Sequence, residues 1–197
     1  GTGFVKRIEG AFHLAILDRR RRVLIIANDR FGLRPLYYVH YRDKLMLGYE
    51  VKALLLDPAF VKELSLVSIA EYLRFQHLLG NKTFFQGISL LPPGSVARYH
   101  LPSKTLVIEQ YWTFDDLPNF RSQMSFEDVV DEAARLFSAS IRRSCANQQR
   151  VCLYLSGGLD SRLIAGALSR YRPGFGSITY GTRGSADVVL GKRIAST

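Results

Sequence analysis

The chain opens with short apolar runs separated by charged turns. Residues 11–17 and 23–27 are almost continuously hydrophobic and are joined by the basic stretch Asp18 to Arg22. So short a connection predicts an antiparallel pair, and the lack of alternation predicts strands buried on both faces. His13 lies inside the first run and is expected to be a packed core residue. A second hairpin is predicted from 36–41 and 44–49, turning at Arg42-Asp43. Residues 50–55 begin a short helix that stops near Asp57-Pro58, because the residue before a proline is steered away from helical backbone. A further helix is expected over 68–75, with Ser68 as its N-cap and Glu71 at the capping-box position. After the turn Leu91-Pro92-Pro93-Gly94, two more strands follow over 95–100 and 105–111.

The texture then changes. Asp115 to Ser122 has no periodicity, and 115–124 is assigned as a linker between a domain over 1–114 and another over 125–197. In the second segment Val129, Val130, Ala133, Leu136, Phe137 and Ile141 recur at helical spacing, and Ser125 with Asp128 is a capping signal. Residues 151–155 read as a buried strand, 162–170 as a helix ended by Arg172-Pro173-Gly174, 177–180 as a strand and 186–196 as a helix. Strand, helix, strand, helix at this spacing predicts a parallel sheet. The fold class is therefore α+β followed by α/β. No internal repeat or low-complexity tract is present.

Between the strand at 151–155 and the helix that follows lies Ser156-Gly157-Gly158-Leu159-Asp160-Ser161. Ligands of open parallel sheets bind at the carboxyl ends of strands. Two glycines let the backbone turn tightly and present N–H groups, and a helix start adds about half a positive charge. Ser156 and Ser161 contribute hydroxyls. Asp160 is the odd member, since a carboxylate repels phosphate unless a cation lies between them. Its natural role is to hold Mg²⁺, which favours carboxylates together with substrate phosphates. The Walker A spacing and G-x-G-x-x-G are both absent, which disfavours a γ-phosphate cradle and a dinucleotide site. The plain alternative is a Ser/Gly turn capped by Asp, and the full six-residue pattern in its strand-to-helix context is more specific than that.

Composition changes the picture little. The 197 residues are 47% hydrophobic and 22% charged, an ordinary globular balance. The net charge of +10 fits a protein with basic turns such as Arg19 to Arg22, or a field that attracts polyphosphate or nucleic acid. Cys145 and Cys152 have no metal or redox spacing and suggest a reducing, cytoplasmic compartment. No apolar stretch approaches the ~20 residues that span a bilayer. The chain starts Gly1-Thr2-Gly3 and ends within an expected helix, so it reads as a piece of a longer protein.

The loop resembles that of the N-type ATP pyrophosphatases, which cleave ATP between the α and β phosphates. Ahead of it, Asp29-Arg30-Phe31-Gly32-Leu33-Arg34-Pro35-Leu36-Tyr37-Tyr38, Glu50-Val51-Lys52-Ala53-Leu54 and Leu91-Pro92-Pro93-Gly94 resemble the rear half of a class II glutamine amidotransferase domain. Taken singly, these are turn and strand residues. Their order ahead of the loop is similar to glutamine-hydrolysing asparagine synthetase across essentially the whole chain.

That resemblance implies the rear part of an αββα N-terminal-nucleophile amidotransferase domain, followed by the start of a parallel-sheet ATP-pyrophosphatase domain. It implies ligase chemistry with ATP, Mg²⁺, glutamine as ammonia source and aspartate or another acid as substrate. It implies no membrane, argues against nucleic acid, and allows a homodimer. Ser156, Gly157, Gly158, Leu159, Asp160 and Ser161 match the pyrophosphate loop, with Asp160 as the metal ligand. Tyr154 and Tyr180 fall where the family uses backbone groups on aliphatic residues to hold adenine. Residues 181–187 match the glycine-containing turn and Asp after the second strand, and Asp187 is expected to cap its helix. The family's nucleophilic cysteine, glutamine-binding arginine, Asn-Gly segment and binding aspartate find no match and are expected upstream of Gly1. The residues that bind the acid are expected after Thr197. No complete catalytic set is expected in residues 1–197, which alone should be inactive. Rivals are a relative acting on another acid, such as a β-lactam-forming or peptide-cyclising enzyme, an RNA-modifying ATP pyrophosphatase, and a non-catalytic nucleotide-binding subunit.

Overall fold

The computed structural model describes residues 2–117 and 124–196. The chain divides into two compact units, Gly1–Asn119 and Phe120–Thr197. The first starts with a 3-10 helix, Thr2–Arg7, then β1 (His13–Asp18), β2 (Val23–Asn28), β3 (Tyr37–Tyr41) and β4 (Lys44–Gly48). Two helices follow, α1 (Val51–Leu54) and α2 (Leu66–Phe75), then β5 (Ile88–Leu90), β6 (Ser95–His100) and β7 (Thr105–Gln110). The strands form two antiparallel sheets, β1-β2-β6-β7 and β4-β3-β5.

Side chains alternate across each strand, so each sheet has two faces to cover. Ile26 and Ala97 of one sheet pack with Leu36, Leu91, Tyr38, Leu45 and Leu47, closing the sheets face to face. Burying a side chain such as Ile26, 2% exposed, contributes about 1.5–3 kcal/mol. On the opposite face, Ala27 and Val96 pack against Val5 of the 3-10 helix. The outer face of the other sheet, with Val39 and Ile88, packs against Leu54 of α1 and Phe60. The unit is thus layered as helix, sheet, sheet, helix.

The segments singled out as Asp29 to Tyr38 and Leu91 to Gly94 meet at a buried polar knot. Asn28 Nδ2 donates to Leu91 O and Pro92 O at 3.3 and 2.9 Å, and Asn28 Oδ1 accepts from Ser95 N at 2.9 Å. Asp29 Oδ1 accepts from Phe31 N and Leu33 N, shaping the loop that carries Gly32. Gly94 has φ +61° and donates to Asp29 O at 2.9 Å. A Cβ there would lie 2.6 Å from Trp112 O, so only glycine fits.

Several expectations need correction. β1 is an edge strand, so Ile16 and Leu17 are 42% and 50% exposed rather than buried on both faces. His13 is not core: it is half-buried, stacks on Tyr49 at 5.3 Å, and has Nε2 3.0 Å from Arg34 O. α2 starts three residues early, because Ser65, not Ser68, caps it: Ser65 Oγ accepts from Ser68 N at 3.2 Å. Glu71 instead pairs with Lys82. Of the linker expected over 115–124, Asp115 and Asp116 belong to a 3-10 turn, and 118–123 lie outside the described residues.

The second unit contains α3 (Phe126–Cys145), β8 (Cys152–Tyr154), α4 (Leu159–Tyr171), β9 (Gly176–Ile178) and α5 (Ala186–Ala195). α3 begins with a reciprocal capping box: Asp128 N donates to Ser125 Oγ and Ser125 N to Asp128 Oδ2. Arg172 ties the two helix ends together, its guanidinium donating to Cys145 O and Gln148 O at 2.8 Å each. β8 and β9 pair in parallel, with Tyr154 opposite Ile178 and α4 as the crossover, as the strand–helix–strand pattern predicts. β8 is not the buried strand expected. Cys152 and Tyr154 are exposed, because β9 is its sole strand neighbour among the described residues; burial begins at Leu155, 2% exposed. Among the described residues no helix is long and apolar enough to cross a membrane.

Candidate functional site

The loop stands at the carboxyl end of β8, where Leu155 N donates to Ile178 O at 2.9 Å and fixes its departure from the sheet. Gly158 is the N-cap of α4, in extended backbone, so the helix starts at Leu159 rather than at Arg162. Leu159, Asp160 and Ser161 are therefore its first three helical residues. Their backbone N–H groups are among those a helix leaves without an internal partner. With the helix dipole they make a region that attracts anions.

The side chains of the loop hold its own backbone. Ser161 Oγ accepts from Ser156 N at 3.2 Å and lies 3.1 Å from Ser156 Oγ. Ser156 Oγ accepts from Gly158 N at 3.2 Å. The Gly157 N–H goes elsewhere, to Asp187 Oδ1 at 3.0 Å. Asp187 does not cap α5: the N-cap is Ser185, without a side-chain cap bond, and Asp187 is the second helical residue, within the first turn. It reaches across to the loop because α5 packs onto Gly157, where a Cβ would lie 2.9 Å from Leu190 Cδ1. Sequence reading placed Asp187 in the right turn and missed its partner, since nothing local signals a contact thirty residues away.

Beside the loop is a cleft of about 200 Å³ lined by Tyr154, Leu155, Ser156, Thr179, Tyr180 and Asp187, among others. The rings of Tyr154 and Tyr180 meet edge to face, centroids 6.2 Å apart, and both are largely exposed. The structure thus brings Tyr154, Tyr180, Ser156 and Asp187 to one cleft, whereas Gly158, Leu159, Asp160 and Ser161 lie outside its lining. Asp160 is exposed, and its carboxylate makes no hydrogen bond or ion pair among the described residues. Its hard carboxylate oxygens suit Mg²⁺ shared with phosphate. Among the described residues, no cluster of three or more His, Cys, Asp or Glu side chains could hold a metal by itself. A roomier cleft of about 440 Å³, walled by Tyr37, Val51, Tyr72, Phe84 and Phe85, lies in the first unit and contains none of the candidate nucleotide-site residues.

Comparison with known proteins agrees with this division. A family model described as a glutamine amidotransferase domain matches residues 1–112, and one described as asparagine synthase matches residues 132–197. The chain is 27% identical over 173 residues to asparagine synthetase [glutamine-hydrolyzing] 2 of Bacillus subtilis (strain 168), covering 84% of this chain and 23% of the relative. It is 29% identical over 174 residues to amidase chry2 of Gibberella zeae, covering 86% of this chain and 25% of the relative. Asparagine synthetase [glutamine-hydrolyzing] 3 of Bacillus subtilis is 29% identical over 161 residues, covering 81% and 25%. The chain spans about a quarter of the length of these curated relatives. With an amidotransferase domain ahead of the start of an asparagine synthase domain, the chain belongs to the glutamine-hydrolysing asparagine synthetase family.

Proposed function

We propose that the full-length protein forms an amide from a carboxylic acid, ammonia and ATP, with aspartate as the acid and glutamine as the ammonia source. The observation that carries this reading is the position of Ser156 to Ser161, at the carboxyl end of a parallel strand and the start of α4. In this reading residues 1–114 are the rear of the glutaminase domain, and 125–197 begin the synthetase domain.

The chemistry follows from the problem of the acid. A carboxylate is a poor electrophile. Attack of its oxygen on the α-phosphorus of ATP breaks the bond to the β-phosphate and turns the carboxylate into an acyl-adenylate. Ammonia then adds to the carbonyl carbon and AMP leaves. The loop's task is to receive the negative charge that grows on pyrophosphate, through the N–H groups at the start of α4 and the hydroxyls of Ser156 and Ser161. Donors fixed in advance where charge develops are the largest single contribution in many enzymes. Asp160 would hold Mg²⁺, which supplies charge compensation to the phosphate oxygens. Tyr154 and Tyr180 would border the adenine, through backbone groups or by stacking.

Amidase chry2 is as similar to the chain as the synthetases are, which favours a second reading: the same adenylation applied to a different acid. An RNA substrate fits less well, since the amidotransferase match covers residues 1–112.

The test is Asp160→Ala in the full-length enzyme, with acid-dependent ATP–pyrophosphate exchange and glutaminase activity measured on one preparation whose folding is checked by circular dichroism. Exchange should fall at least ~10²–10³-fold, the usual cost of losing one such charge-stabilising group, while glutaminase survives. Near-normal exchange would show Asp160 to be structural. Running the exchange with aspartate against other acids separates the two readings.

A further inference from the structure

One face of α5 is pressed onto the loop. Asp187, Leu190 and Gly191 stand at positions i, i+3 and i+4, which share a side of a helix. Asp187 Oδ1 accepts from Gly157 N at 3.0 Å. Leu190 fills the space beside Gly157, where a Cβ would lie 2.9 Å from its Cδ1. Gly191 sits so close to the strand ends that a Cβ would lie 2.6 Å from Thr179 Oγ1 and 2.9 Å from Leu155 O.

The three N–H groups of Ser156 to Gly158 are held in unlike ways. Those of Ser156 and Gly158 go to serine hydroxyls. A hydroxyl can rotate, and can donate to an arriving phosphate oxygen as readily as it accepts from an amide. The Gly157 N–H goes to a carboxylate, which only accepts and forms the stronger, charge-assisted bond. The Gly157 peptide is thus the pinned point of a loop whose other bonds can be exchanged for bonds to a ligand.

We infer that Asp187 is a positioning residue for MgATP: its carboxylate holds the Gly157 peptide, and through it the loop, in the shape that receives the triphosphate. The inference rests on the nucleotide reading proposed above. It assigns Asp187 no contact with the ligand and no metal, so its charge acts only by strengthening the bond to Gly157.

The experiment compares Asp187→Asn and Asp187→Ala with the wild type in the full-length enzyme. Two quantities are read: hydrogen exchange of the amides at 156–158 without nucleotide, by mass spectrometry, and the dissociation constant of MgATP, by calorimetry. Asparagine keeps an acceptor of the same reach but not the charge, so both quantities should change by no more than about threefold. Alanine removes it, so exchange should quicken and MgATP should bind on the order of tenfold more weakly, the size of one charge-assisted bond. Should alanine fail to fold, Asp187→Ser takes its place, being compatible with a first helical turn but too short to reach Gly157. Unchanged exchange in the alanine or serine variant overturns the inference whatever the nucleotide does. So does faster exchange with undiminished MgATP affinity, which is what a merely structural staple would give. A loss of affinity in Asp187→Asn as large as that in Asp187→Ala overturns it too, by showing that charge and not the bond is the active property. A wild type that does not bind MgATP refutes the nucleotide reading itself, and the inference with it.

Discussion

Two glycines in the second unit should respond in opposite directions to the same substitution. At Gly157 an added methyl would lie 2.9 Å from Leu190 Cδ1, 3.2 Å from Leu190 Cβ and 3.2 Å from Asp187 Oδ1. The first of these atoms ends a side chain and can swing away. The second is fixed to the backbone of α5, so the helix itself must retreat by some tenths of an ångström. Overpacking of this kind costs about 1–3 kcal/mol, and the retreat also stretches the bond from Gly157 N to Asp187. Gly166 lies exposed in the middle of α4, with nothing within 4 Å of where its Cβ would be. There alanine only restricts the unfolded chain and restores helix propensity, a gain of about 0.8–1 kcal/mol. The two variants should therefore differ in stability by about 2–4 kcal/mol. Urea denaturation followed by circular dichroism on the 197-residue chain measures the difference. A Gly157→Ala protein as stable as the wild type would show that α5 does not clamp the loop. A destabilised Gly166→Ala would show that α4 is not an open helix at that point.

Three other outcomes are expected. Asp57 accepts from Ala59 N, the Tyr41 hydroxyl and Lys44, and these bonds, the backbone one foremost, depress its pKa to about 2. The folded value lies below the ordinary ~3.9, so its contribution is complete above about pH 4 and is lost as pH falls toward 2; a pH series of unfolding curves should lose that acid-dependent step in Asp57→Asn. Ser125→Ala removes one half of the α3 capping box and should cost about 1 kcal/mol, read from the unfolding midpoint. Asn28→Ala leaves Ser95 N buried without its acceptor and two carbonyls without their donor, so thermal unfolding should move down by the equivalent of at least about 2 kcal/mol; a shift below 0.5 kcal/mol would mean that water replaces the side chain.

The parts of the fold that could be read from the sequence were those written locally. Ser125 and Asp128 stand three apart and form the box that the pattern predicts. The β3–β4 hairpin turns at Arg42-Asp43, with Tyr41 opposite Lys44. The parallel pairing of β8 and β9 follows from the spacing of two strands around one helix. What failed depended on neighbours. Continuous hydrophobicity at Ala11 to Leu17 looked like burial on both faces, yet an edge position leaves Ile16 and Leu17 in the open. Ser68 has the signature of a cap, but Leu66 and Val67 are exposed helical residues ahead of it, so the helix starts sooner. In the site, the loop was legible as a motif and its brace was not. Asp187 was placed by its turn, while its bond to Gly157 depends on how α5 lands. Asn28 gave no signal at all, because a polar residue after an apolar run reads as a strand end unless its three tertiary partners are known.

The order of strands in the first unit also constrains the route by which it folds. Its hairpins β1–β2, β3–β4 and β6–β7 are each local, but β2 finds its second neighbour only in β6, pairing Val23 with His100 and Ala27 with Val96. The other sheet and both helices are threaded between those two strands in the sequence. Contacts so distant along the chain must meet the entropy of closing a long loop before they return any stability, which slows folding. During synthesis β2 must therefore wait, with one edge unpaired, until the ribosome has released the segment through His100. The charged stretch Asp18 to Arg22 beside it suits that interval, because like charges discourage a waiting strand from pairing with another chain.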